Sequence, residues 1–148
     1  MQVDSKEIKD FSPDINIDVS SIFGMKKKMK VQGFKEKSAL VPTIDENYIF
    51  DEETTTSILV GFKFNKKVLI QGLHGTGKSS HIEQVAARLN WPCVRINLDG
   101  HISRFDLLGK DSIVLKDNKQ VTTFKEGLLP WAIQNTVALV IAEYDEGR

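Results

Sequence analysis

The stretch Gly72-Leu73-His74-Gly75-Thr76-Gly77-Lys78-Ser79 constrains this chain more than any other. It meets the pattern G-x-x-x-x-G-K-[ST] at every fixed position. The flanks agree with it. Lys67-Val68-Leu69-Ile70-Gln71 reads as a short apolar strand, and Ile82, Val85, Ala86 and Leu89 recur behind the loop at helical spacing. Strand, glycine-rich turn, helix is the context that makes a phosphate site rather than an ordinary turn. Glycines let successive backbone N–H groups curl around an anion, and the helix points its positive end at the same charge. The expected nucleotide-binding residues are therefore Gly72, His74, Gly75, Thr76, Gly77, Lys78 and Ser79. Lys78 would reach the β- and γ-phosphates and Ser79 would ligate Mg²⁺, so the expected cofactors are ATP and Mg²⁺.

The bulk properties exclude several other classes. The 148 residues suffice for one domain with a real core. Lys and Arg number 20 and Asp and Glu 20, so no global field draws the chain to nucleic acid or to a membrane. The basic run Lys26-Lys27-Lys28-Lys30 has no aromatic or glycine-rich partner beside it and reads as a solvated loop. Cys93 is the only cysteine, which rules out an intramolecular disulfide and fits a reducing cytoplasm. No apolar run approaches membrane-span length, and acids stand where a signal peptide needs an apolar stretch. A cytoplasmic location is expected. His74, His81 and His101 show no metal-ligand spacing, and each reads as solvated or backbone-positioned.

Along the chain, residues 1–50 mix polar stretches with small apolar clusters, interrupted by Pro13 and Pro42. Loops and a short helix are expected there. Asp51-Glu52-Glu53 places acids at a helix N-terminus, and Ile58, Leu59 and Phe62 give that helix one apolar side as far as Asn65. Trp91-Pro92 stops the helix after the loop. Val94, Ile96 and Leu98 alternate as a strand, and residues 102–108 suit a short helix. Ser112 to Lys125 reads as a hairpin turning at Asp117-Asn118-Lys119, and Pro130 suits a helix start. Val137-Ala138-Leu139-Val140-Ile141 is an unbroken apolar run, as in strands buried on both faces of a parallel sheet. Strands alternating with helices predict an α/β fold: a P-loop NTPase with a parallel sheet and flanking helices.

A P-loop ATPase needs a second strand that ends in acids. Here the apolar run leads into Ala142-Glu143-Tyr144-Asp145. Glu143 stands where a water-activating carboxylate is expected and is the candidate catalytic residue. Ala142 stands where an Asp would hold Mg²⁺, and a methyl group cannot coordinate a cation. Positions 142 and 145 of a strand face opposite sides, so Asp145 is no simple replacement. The sequence stops at Arg148, ahead of the sensor, arginine finger and helical lid of a complete ring-type ATPase.

Taken together, these residues resemble the AAA+ ATPase subunit of aerobic cobaltochelatase. The resemblance rests on Gly75 to Ser79, on His81 through Arg95, on Arg104-Phe105-Asp106-Leu107-Leu108-Gly109-Lys110-Asp111, on Gly127 with Leu129-Pro130-Trp131-Ala132, and on Val137 to Val140. It covers roughly the last hundred residues well and the first fifty weakly. MoxR-type AAA+ ATPases are similar more distantly, through Asp106-Leu107-Leu108-Gly109 and the hairpin that follows. The resemblance implies residues 1–50 as a partly ordered N-terminal arm and residues 51–148 as the N-terminal half of an AAA+ core, truncated after the acid-bearing strand. It also implies a homo-oligomeric ring, a von Willebrand-type partner subunit and a large corrin-binding subunit. The implied reaction is ATP-driven insertion of Co²⁺ into hydrogenobyrinic acid a,c-diamide, in cobalamin biosynthesis. A MoxR-type chaperone for another metalloenzyme, or a nucleotide-binding fragment without hydrolysis, are the alternatives.

Overall fold

The structure is a computed structural model that describes residues 12–98, 102–116 and 119–142. Two compact units divide the chain after Val94.

The first unit holds β1 (Ile15–Asp18), α1 (Val19–Ile22), β2 (Lys30–Gly33), α2 (Glu52–Phe64) and α3 (Lys78–Arg88). The expectation of loops and a short helix before residue 50 misses a hairpin. β1 and β2 pair antiparallel, with Ile15 opposite Gly33 and Asp18 opposite Lys30. The Asp18 carboxylate then caps α1 by accepting the Ser20 N–H at 3.1 Å. α2 starts where the acids predict. Asp51 accepts the Thr54 N–H at 2.8 Å and the Thr54 hydroxyl at 2.6 Å. Glu52 and Glu53 occupy the first turn, and Asn65 ends the helix in the left-handed region at φ 49°.

The core gathers Val19, Phe23, Met25, Val31, Ile58, Leu59, Val85 and Leu89. Each such side chain contributes roughly 1.5–3 kcal/mol when fully buried. At the end of α3 the Leu89 carbonyl accepts the Phe34 N–H at 3.1 Å, and Asn90 Nδ2 donates to the Phe34 carbonyl at 3.0 Å. The hairpin thus closes a helix end that would otherwise leave carbonyls unpaired. Phe34 and Phe62 meet Trp91 edge-on, with ring centroids 5.1 and 5.2 Å away.

The strand expected at Lys67–Gln71 does not form. Residues 66–73 make no ladder, Leu69 is 78% exposed and only Ile70 packs on the core. A central parallel strand takes its hydrogen bonds from neighbours on both sides, and its own sequence supplies none of them. Val68 lies instead against Gly61 of α2.

The second unit contains α4 (Arg104–Leu108), β4 (Gly109–Lys116), β5 (Lys119–Glu126), α5 (Leu128–Gln134) and β6 (Ala138–Ala142). Ser103 and Asp106 form a reciprocal capping box at the start of α4. The predicted hairpin is present; its turn at Asp117 and Asn118 lies outside the described residues. Its register sets Lys110 opposite Lys125 and Val114 opposite Val121. Both lysines are exposed, and the charge of Lys110 acts on the Asp106 carboxylate. At the base of the hairpin Gly109 and Gly127 meet so closely that a Cβ on Gly127 would lie 2.5 Å from the Gly109 nitrogen and from the Leu107 carbonyl oxygen.

The expected parallel sheet reduces, among the described residues, to two strands. β3 (Cys93–Asn97) pairs with β6. The Leu98 N–H donates to the Ala142 carbonyl at 2.9 Å, which brings the C-terminal ends together and makes the pair parallel. β6 is not buried on both faces, as its unbroken apolar run predicts. Val140 and Ala142 are buried, while Ile141 is 43% exposed, so one face alone is covered. The fold is therefore mixed α/β with a small parallel pair. No described helix is long and apolar enough to cross a membrane.

Candidate functional site

The loop from Gly72 to Ser79 leads directly into α3. Gly75 and Gly77 both have φ +78°, the left-handed region in which a side chain is strained. Gly77 is the N-cap of α3 and offers no side-chain cap, and no acid stands in the first turn. The leading N–H groups of an eleven-residue helix therefore have no capping side chain and no neutralising charge. Open space surrounds the positions where a Cβ would stand on Gly75 and Gly77.

The loop curls around one carbonyl. The Leu73 oxygen accepts the Thr76 N–H at 3.4 Å, the Thr76 hydroxyl at 2.9 Å and Lys78 Nζ at 2.7 Å. Lys78 Nζ also donates to the Gly72 carbonyl at 2.7 Å. Its ammonium spans the loop from end to start, with the exposed His74 at the tip and Ser79 at the second position of α3. All seven residues expected from the motif are thus gathered in this one loop and the first turn of α3. Glu143 lies outside the described residues, as does Asp145. Ala142 closes β6 as a buried methyl, 9% exposed.

Sequence reading missed what holds α3. His81 is not solvated: it is 8% exposed, and its Nε2 lies 2.8 Å from Thr55 Oγ1 of α2. Tyr48 and Phe50 stand edge-on to its ring, with centroids at 5.6 and 5.4 Å. Burial lowers its pKa, and the nearby Asp51 charge opposes that shift. Gln84 donates to the Thr43 carbonyl at 3.0 Å and accepts the Asp45 N–H at 2.9 Å. Arg88 donates to the Asp45 carbonyl at 2.8 Å and stacks over Phe50 at 4.6 Å. The signal was in the sequence. Residues 81, 84 and 88 share one face of a helix, and polar residues on a face that also carries Val85 need partners. Among the described residues no three of His, Cys, Asp and Glu come together as a metal site.

The fold and this loop define a mixed α/β protein that carries a P-loop sequence at the start of a packed helix. The chain is similar to a protein of Sinorhizobium sp, aerobic cobaltochelatase subunit CobS: 59% identical over 136 residues, or 92% of this chain. The resemblance read from the sequence holds along that span. The chain covers 41% of that relative's length. No family profile and no solved structure matches the chain.

Proposed function

We propose that this chain is the nucleotide-binding part of an AAA+ subunit that serves an ATP-dependent cobaltochelatase. The observation that carries the reading is the open N-terminus of α3. Two left-handed glycines, uncapped N–H groups and a lysine at the loop's mouth form a cradle suited to a polyphosphate. Gly75 to Ser79 would surround the phosphates, Lys78 would exchange its two carbonyl partners for phosphate oxygens, and the Ser79 hydroxyl would serve Mg²⁺. When bound, Mg-ATP would supply a β–γ phosphoanhydride whose cleavage by water, releasing ADP and phosphate, can drive a conformational change. The similarity to CobS supports cobalt insertion into a corrin as the use of that energy, with a partner subunit and a corrin-binding subunit completing the enzyme. Glu143 is proposed as the residue that activates water.

Ala142 favours a second reading in which binding outlasts hydrolysis. The methyl group at the buried end of β6 offers no oxygen to a cation. Titration with a fluorescent ATP analogue tests the first reading. Lys78→Ala should weaken binding at least tenfold, in line with the loss of a charge-assisted contact worth about 1.5–3 kcal/mol. Equal affinity in the two proteins rejects the cradle. Phosphate release at saturating Mg-ATP tests the second: near-background turnover is expected, and turnover abolished by Glu143→Gln excludes it.

A further inference from the structure

We propose that His81, through a hydrogen on Nε2, is a positioning residue of the P-loop: it fixes the first turn of α3, and with it Lys78 and Ser79, against the first turn of α2. This rests on the nucleotide-binding reading of the same loop. That hydrogen follows from counting protons. Thr55 has one hydroxyl hydrogen. Its Oγ1 lies 2.6 Å from the Asp51 carbonyl oxygen, a distance at which two oxygens without a hydrogen between them repel. That hydrogen is therefore committed to Asp51. The contact of 2.8 Å between Thr55 Oγ1 and His81 Nε2 then needs its hydrogen from the ring. The result is a directed relay in which His81 donates to Thr55 and Thr55 donates to the Asp51 backbone.

Its location gives the relay a consequence for the loop. His81 stands three residues after Lys78, and its own N–H donates to the Gly77 carbonyl at 2.9 Å. It thus ties the last loop glycine through its backbone and α2 through its ring. On the other side of the loop residues 66–73 form no ladder and are held by the packing of Val68 and Ile70. Position is set from the helix side. Gln84 and Arg88 continue the grip along the same face, on Thr43 and Asp45.

The test uses the whole chain and four substitutions. His81→Phe keeps a ring without a donor, and His81→Gln keeps a side-chain N–H donor. Thr55→Val removes the acceptor at constant volume, and Thr55→Ser keeps it. Binding of a fluorescent ATP analogue with Mg²⁺ should weaken roughly five- to tenfold in His81→Phe and Thr55→Val, and stay within about twofold in His81→Gln and Thr55→Ser. Parental affinity in both disruptive variants, or a His81→Gln as weak as His81→Phe, overturns the proposal. If the parent binds no nucleotide, the functional reading fails and amide exchange decides the positioning. Faster exchange at residues 81–84, where the helical hydrogen bonds of α3 begin, in Thr55→Val than in Thr55→Ser supports the relay, and equal rates overturn it.

Discussion

At the scale of single residues, environment rather than identity decides what a group can do. Cys93 is half-buried at the start of β3, and burial, with the Glu83 charge adding to it, pushes its thiol up to about 12. A thiolate is the reactive species, so Cys93 should be inert near neutral pH. Alkylation by iodoacetamide at about pH 8 should proceed at least tenfold more slowly in the native protein than in denaturant. Comparable rates would show an open site. Val94 and Ile96 alternate beside this cysteine, so its place in an apolar strand was legible. His81 was harder to read. Its role depends on Thr55, 26 positions earlier, and on the hydrogen at Nε2, neither of which appears in any local pattern. The P-loop lies at the other extreme. Its conformation is written in two glycines whose φ angles only glycine adopts without strain.

At the scale of elements, helix ends were legible and strand partners were not. The Asp51 cap, the Asn65 stop and the hairpin all arise from interactions within a few residues, and each appears where the residues predicted. Asp51→Ala removes two hydrogen bonds to Thr54 and should lower the melting temperature by a few degrees, whereas Asp51→Asn should recover most of the loss. Circular dichroism melts measure both. The Lys67–Gln71 segment failed as a strand because a ladder is a property of two segments. The same logic marks Gly127. An added methyl meets backbone atoms that cannot rotate aside, so Gly127→Ala should destabilise the base of the hairpin by about 2–3 kcal/mol. Near-parental protection of the β4 and β5 amides would contradict that close approach.

At the scale of the whole molecule, burial is uneven. Among the described residues the large fully buried hydrophobic side chains, Leu59, Leu89, Val19, Val31 and Val85, all belong to the first unit. In the second, Ile113, Leu115, Phe124 and Ile133 are each more than 60% exposed. Opening free energies should follow that contrast. Hydrogen exchange should be slowest at Leu59, Val85 and Leu89, and more than tenfold faster along β4 and β5. Uniform protection across both units would refute this reading.

The facing of Lys110 and Lys125 across the hairpin gives that ribbon an unusual response to ionic strength. Two like charges opposite one another on adjacent strands stand about 5 Å apart at Cβ and push the strands open. Dissolved ions shrink the reach of that force, from about 30 Å at 0.01 M to about 3 Å at 1 M. Caps built on Asp18, Asp51 and Asp106 draw part of their strength from unscreened charge and should slacken as salt is added. The base of the hairpin should do the opposite and close more firmly in concentrated salt than in dilute buffer.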